Sequence, residues 1–468
     1  MTTAIWWIRR DLRLDDNPAL VAALEGGRTV VPVFILDDRL LHGTSASPVR
    51  NRFLAAGLVS LDAALRTLGS QLILRRGDPK AELIRLAREV GAEAVVAEVD
   101  HSPFAGRRDR EVAAALPLQW VHGLTIQPPE LVVRPDGSPY TVFGAFRRAW
   151  GSLPPPTRRG LLPAPLSLAP PPDLPSHRLG AVPTHTAFPP GEPEARLRLE
   201  RFLLDRVHDY SSGRDRLDRQ GTSTLSPYLR FGMLSARTAF VRAAAALEDA
   251  PDATSRTSIQ AWIDELVWRE FYIAVLHHFP HVQRSAFRPA LRKIRWDNDE
   301  TRFRAWTGGE TGYPVIDAAM RQLAQTGWMP NRARMIVASF LTKDLLIDWR
   351  WGERWFMQHL IDGDPAANNG GWQWTAGVGT DAAPYFRIFN PTRQAEKFDP
   401  QGDYVRRWIP ELRRVPDEHI HQPWRMSAAS QEQAACRIGH DYPSPIIDHG
   451  RQREVALAAY RRAKAVAA

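Results

Sequence analysis

The chain has a single cysteine, Cys436, in 468 residues. No internal disulfide can form, a thiolate zinc site lacks its ligands, and a reducing compartment is expected. No apolar run reaches the roughly 18 residues that a membrane span needs. The opening MTTAIWWIRRDLRLDD places its arginines after a short apolar run, the reverse of a secretory signal. It reads instead as a buried first strand of a cytoplasmic protein. HExxH and the nucleophile elbow are missing, and GVGTD from Gly377 does not fit G-x-G-x-x-G. His277 and His281 are spaced as metal ligands, but without a third ligand nearby they read as a helix-end pair, and no metal is expected. No internal repeat of fixed period appears. The lack of HExxH and of a nucleophile elbow agrees with chemistry carried by a cofactor.

What is present starts with size and charge. A chain of 468 residues exceeds one ordinary core, so two domains are expected. A formal net charge of +9 suits a polyanionic partner, although a merely basic surface gives the same figure. The 16 tryptophans exceed what core packing calls for. Aromatics mixed with basic residues suit contact with phosphates and unstacked bases.

Short apolar runs alternate with helical patterns over residues 1–130: AIWWI, TVVPVFIL, QLILRR, EAVVAEVD and LQWVHGLTI. This alternation predicts an α/β domain with a parallel, five-stranded, Rossmann-like sheet. Ligands of such sheets bind beyond the carboxyl ends of the strands. RRDLRLDDNP (from Arg9), DDRL (from Asp37) and DHSP (from Asp100) are therefore candidate ligand loops, or else ordinary polar turns. Prolines crowd residues 151–193, which marks a long extended connector, assigned to 131–200. From 201 to 468 the patterns are helical, including the run NRARMIVASFLTKDLLIDWRWGERWFMQHL, so an all-α domain is expected there.

Four segments concentrate chemistry. DYSSGRDRLDRQGTSTLSPYLRFG offers hydroxyls at Thr222, Ser223, Thr224 and Ser226 just before a helix start, as a phosphate site or a plain cap does. AWIDELVWREFY puts Trp262, Glu265, Arg269 and Tyr272 on one helical face, and a polar group on an aromatic face needs a partner. TGWMPNRARM projects Asn331 and Met335 together, with Arg332 and Arg334 to different sides. LIDGDPAANNGGWQWT gathers Asp362, Asp364, Asn368 and Asn369 beside two glycines, Trp372 and Trp374. The glycines let a backbone approach a flat ligand closely, so this stretch suits an aromatic molecule with polar edges.

These segments resemble the flavin-binding core of the DNA photolyase/cryptochrome family, and within it the bacterial class I cyclobutane pyrimidine dimer photolyases. The resemblance covers nearly the whole chain and is tightest from Tyr210 to Pro410. It implies an all-α FAD-binding domain with reduced FADH⁻ as the active form. Tyr210, Thr222, Ser223, Thr224, Leu225, Ser226, Trp262, Arg269, Arg334, Asp362, Asp364 and Asn368 would bind the cofactor, with Asn368 facing flavin N5 and Asp362 pairing Arg334. Trp372, Trp349 and Trp296 would relay electrons from the surface, although as three core tryptophans they need no such role. Glu265 would hydrogen-bond a pyrimidine edge, with Trp268, Asn331, Met335 and Trp374 around the flipped dimer. Arg214, Arg332, Arg387 and Lys397 would contact DNA phosphates. Pro330 stands where many members carry histidine.

The implied reaction is light-dependent repair of cyclobutane pyrimidine dimers by electron transfer, a carbon–carbon lyase activity. A dimer cannot reach the flavin from inside the base stack, so it is flipped out. The rivals are a cryptochrome-like photoreceptor and a (6-4) photolyase. Glu265, Asn331, Met335 and Trp374 disfavour the first, and the missing histidines at the Asn331 face disfavour the second. The resemblance also admits an antenna chromophore in the first domain, 8-hydroxy-deazaflavin or methenyl-tetrahydrofolate, with Asp37, Arg52 and Asp100 as candidate contacts. The expected partner is UV-damaged DNA, with no membrane and no obligate protein partner. A monomer in the bacterial cytoplasm or nucleoid is expected.

Overall fold

The computed structural model describes residues 2–180, 182, 185, 187–382, 384 and 387–465. It resolves two compact units, each discontinuous in sequence. The first comprises Met1–His208, Ser223–Pro280 and Ile361–Ala366; the second comprises Asp209–Thr222, His281–Leu360 and Ala367–Ala468.

The first unit carries the predicted sheet. Its strands are β1 (Thr3–Ile8), β2 (Thr29–Leu36), β3 (Ile73–Arg76), β4 (Ala92–Glu98) and β5 (Leu118–Val121). The order is β3-β2-β1-β4-β5, and every pairing is parallel. Helices cover parallel sheets on both faces, which is why β1 and β2 read as unbroken apolar runs. Ile5, Trp7, Val33, Ile73 and Val95 pack against Leu83 and Leu86 in one core. The fifth strand stops at Val121, short of the run to Ile126 that the sequence suggests. Ile126 N–H instead donates to Glu270 on another element.

The proline-rich connector has a structural task in this unit. β3 is an edge strand, and an uncovered edge invites pairing with another chain. His177 N–H donates to Leu74 O (2.8 Å), and Leu74 N–H donates to Ser176 Oγ (2.9 Å). The connector therefore lies along the exposed ladder.

The second unit is helical around an aromatic core of Trp306, Phe340, Trp349, Phe356, Trp372 and Tyr404. The run read as helical from Asn331 to Leu360 is not one helix. It divides into Asn331–Ser339, a π-helical turn Phe340–Asp344, and Trp349–His359. Leu346 turns left-handed at φ +50°, which no helix interior tolerates. Asp348 then caps the next helix by accepting from Arg350 N–H at 3.0 Å.

Candidate cofactor site

In the first unit, charged groups meet at the carboxyl end of β1. Arg10, two residues past β1, donates to Asp364 Oδ2 at 2.6 Å and lies 3.8 Å from Asp100 Oδ1. Arg230 Nε donates to Gly363 O at 2.8 Å and lies 3.9 Å from Asp364 Oδ2. Ser226 Oγ donates to Asp362 Oδ2 at 2.6 Å. Asp364 also accepts from Ala366 N–H, at the start of the helix Pro365–Ala376. Arg50 is buried and faces the field of Asp362 and Asp364; burial pushes its guanidinium down to about 10. Burial and repulsion from Arg10 push Arg230 down to about 9. Burial opposes the charge on Asp100, but Arg10, Arg9 and Arg108 outweigh it and hold the carboxyl well below its usual range.

Gly232 brings this cluster together. It adopts φ +64°, and a Cβ there would lie 1.8 Å from Arg10 O. Only glycine allows the end of the helix Ser226–Phe231 to approach the strand-end loop so closely, with Leu12 N–H donating to Phe231 O at 3.1 Å. Just before that helix, Thr224 is left-handed at φ +53°, and its hydroxyl donates to Ser223 O. Arg198 Nη1 donates to Thr224 Oγ1 at 3.0 Å. Leu225 is buried, whereas Ser226 is exposed.

The helix Ala253–His278 carries the second group of predicted residues. Trp268 stacks on Phe143 with ring centroids 3.6 Å apart and planes 6° apart. Tyr272 lies 5.6 Å from Trp268, and buried Trp262 lies 5.3 Å from Phe202. Glu265 is half-buried. Arg269 donates to Leu124 O (3.0 Å) and pairs with Glu270 (3.1 Å), so its guanidinium holds the chain after β5.

In the second unit, Asn331 Nδ2 lies 3.7 Å from Met335 Sδ, as their spacing predicts. Arg332 pairs with Asp215 at 2.6 Å and lies over Phe398, and Arg334 Nε donates to Met329 O. Arg214 lies over the ring of buried Tyr210, while Arg387 and Lys397 are exposed. Thr222 is half-buried. Asn368 Nδ2 donates to Glu353 O at 2.9 Å, and Asn369 Nδ2 donates to Val282 O at 3.1 Å. Burial pushes the Glu353 carboxyl up to about 7.

The three relay candidates join the same core differently. Trp372 is 2% exposed, and a Cβ on Gly352 would lie 2.0 Å from its ring. Its ring contacts are Phe356 at 5.0 Å and Trp306 at 6.2 Å. Its Nε1 is buried without a hydrogen-bond partner among the described residues. Trp349 is buried in that core, and Trp296 packs against it edge-on to Tyr460. Trp374 is half-buried. Of the antenna candidates, Asp37 caps the short helix Asp38–Leu41 and pairs with Arg39, and Arg52 is exposed. Asp100 belongs to the Arg10 cluster.

Arg10, Arg50, Arg230, Phe143 and Glu353 were not singled out from the sequence. Arg10 lies inside RRDLRLDDNP, one of the strand-end loops, so topology did point to it. Nothing local marks Arg50 or Glu353.

Hydroxyls, guanidinium groups and carboxylates in the first unit suit a ligand rich in phosphates and hydroxyls. In the second, the partnerless Trp372 Nε1 and the Asn368 amide suit one with a flat polar edge. Fold and donors together define a nucleotide-cofactor protein with one α/β unit and one helical unit. A family model described as DNA photolyase matches residues 4–165, and another described as FAD binding domain of DNA photolyase matches residues 262–462. A deoxyribodipyrimidine photo-lyase of Synechococcus sp. is 41% identical, covering 99% of this chain and 97% of the relative. A crystal structure of a bacterial class III photolyase from Agrobacterium tumefaciens superposes with TM-score 0.92 at 38% identity, covering 99% of this chain and 98% of that one. A Synechocystis sp. cryptochrome superposes with TM-score 0.87 at 32% identity, covering 98% of this chain and 99% of that one. The chain belongs to the DNA photolyase family. Among the described residues, no helix is long and apolar enough to cross a membrane.

Proposed function

We propose that this chain is a deoxyribodipyrimidine photo-lyase that repairs cyclobutane pyrimidine dimers in DNA under light, acting as a monomer in the bacterial cytoplasm at the nucleoid. The observation that favours this lesion is the Asn331–Met335 pair at the start of a helix without histidine. Opening a cyclobutane ring requires an electron but no net proton transfer, so an amide and a thioether suffice there. When bound, reduced flavin supplies the light-excited electron and recovers it.

The protein's own groups bind, orient and exclude water. Thr222, Ser223, Thr224, Leu225, Ser226 and Tyr210 would hold the pyrophosphate and ribityl chain. Asp362, Asp364, Arg334, Arg269, Trp262 and Asn368 would hold the remainder. Asn368 is an amide, so it places no second anion against an anionic reduced flavin, and Glu353 fixes the amide's direction through its backbone carbonyl. Glu265 would hydrogen-bond the pyrimidine edge, with Trp268 and Trp374 as aromatic walls. Trp372, Trp349 and Trp296 would re-reduce the cofactor. Arg214, Arg332, Arg387 and Lys397 would contact the DNA backbone. Residues 1–130 would form the antenna part, 131–200 the connector and 201–468 the catalytic part. Any antenna chromophore, a deazaflavin or a folate, would use Asp37, Arg52 and Asp100.

Two variants test the pocket. Glu265→Ala and Asn331→Ala should each lower dimer repair while flavin content stays at the wild-type level. Full repair in both variants would reject the pocket assignment.

A further inference from the structure

A cluster of metal-ligating side chains lies in the first unit, and none of its three residues is assigned a part in the repair chemistry. His101 follows β4, Glu130 sits in the 3₁₀ turn Pro129–Leu131, and His277 lies in the last turn of the helix Ala253–His278. Each offers one ligand atom, and these atoms lie within 4.8 Å of one another. His101 Nδ1 is 3.7 Å from Glu130 Oε1, and His277 Nε2 is 3.4 Å from the same oxygen. Sequence spacing pairs His277 with His281, but the folded chain supplies different partners. Both other ligands, His101 and Glu130, lie far away in sequence, and His281 stacks on Phe287 instead.

We infer that His101, Glu130 and His277 form a binding site for a divalent cation of the zinc class, with a fourth position open to water. The distances suit it. Zinc–nitrogen and zinc–oxygen bonds of about 2.1 Å put tetrahedral ligand atoms about 3.4 Å apart. Two edges of the triangle are already near that length, and the third is no longer than 4.8 Å. The donor set selects the metal: two imidazoles and one carboxylate suit zinc, cobalt or nickel, whereas calcium and magnesium prefer oxygen alone.

A second observation points to a ligand. His101 is 7% exposed, and its Nδ1, aimed into the cluster, has no hydrogen-bond partner among the described residues. A buried polar atom without a partner carries a desolvation cost that a metal bond would offset. The other two ligands provide the entry route, since the Glu130 and His277 side chains are 44% and 32% exposed.

The surroundings hold the ligands in place. The His278 ring lies 4.8 Å from that of His277, and its Nε2 lies 3.4 Å from Pro129 O. This contact ties the turn bearing Glu130 to the helix bearing His277. A bound cation would fasten the β4 loop, the 3₁₀ turn and the helix end to one another, so metal binding would also be folding stability.

The test titrates zinc into the full chain, cleared of metal by a chelator, and follows heat and thermal unfolding. Cobalt serves as the optical probe. The site predicts one saturable equivalent of zinc, a raised Tm, and visible cobalt bands typical of four or five ligands. His277→Ala and Glu130→Gln are half-exposed changes that should leave the fold intact. Each should weaken zinc binding roughly tenfold or more and abolish the Tm shift. His440→Ala removes an exposed histidine that pairs with its neighbour Asp441 and should leave binding unchanged. Absence of saturable binding, or binding that persists in His277→Ala and falls in His440→Ala, would overturn the site.

Discussion

In the first unit, Arg10, Arg230, Asp362 and Asp364 are fixed by charge, through ion pairs and hydrogen bonds of 2.6–2.8 Å. In the second, Trp372 is fixed by shape. It fills the space that the missing Gly352 side chain leaves and meets Phe356 and Trp306 at their edges. The two regions answer to different physics. A charged cluster is strong only while every partner remains, because the survivor of a broken pair stays buried and uncompensated. An aromatic core tolerates loss of a polar atom but not a change of volume. The charged region suits holding an ionic cofactor, and the aromatic region suits a dry path for electrons.

The sharpest way to break this contrast is Asp364→Ala. It removes the nearest acidic partner of half-buried Arg10 and the acceptor for Ala366 N–H, and should cost about 3–5 kcal/mol. Urea unfolding measures the loss, and the flavin-to-protein ratio should fall with it. Next in size is Gly352→Ala, which removes no charge but drives a methyl into Trp372. Overpacking of this kind should cost about 1–3 kcal/mol, read by the same unfolding curve. Should Gly352→Ala prove neutral, the claim that shape fixes this region fails. Trp372→Phe should cost less, about 1–2 kcal/mol, since a ring still fills most of the space. Its functional effect is selective: photoreduction of oxidised flavin should be lost while pre-reduced enzyme still repairs. Surviving photoreduction would exclude Trp372 from the relay.

The last effect is read as a slope with pH. Burial raises the Glu353 carboxyl from 4.5 to about 7 in the folded chain. Between those values the folded state holds a proton that the unfolded state has released, so this group's stability contribution falls as pH rises through that window. Glu353→Gln should therefore flatten the decline of Tm across about pH 4.5 to pH 7. An identical slope in both proteins would assign the dependence to other groups.

The same contrast explains what could be read from sequence. Strand periodicity located β1 to β4 closely, because burial on both faces forces continuous apolar runs. The Asn331–Met335 pairing followed from helical spacing alone. The break at residues 345–348 did not, because it depends on Leu346 turning left-handed in a stretch whose composition stays helical. In the charged region, Asp362 and Asp364 were legible as costly residues in a glycine-rich stretch, but Ser226, the partner of Asp362, and Arg10 and Arg230, the partners of Asp364, lie far away along the chain. His101 and Glu130 escaped notice for the same reason. Ligands gathered from three elements leave no local spacing to find. The relay tryptophans were legible only through family resemblance, since a tryptophan placed by packing looks like any other core residue.

The central claim is repair of a cyclobutane dimer. Pre-reduced protein would be mixed with an oligonucleotide carrying one thymine cyclobutane dimer and divided between blue light and darkness. The account predicts restored thymines in the illuminated sample alone. No repair in the light, with flavin bound and reduced, would contradict it and favour a photoreceptor or a (6-4) enzyme, which a (6-4) substrate would then separate.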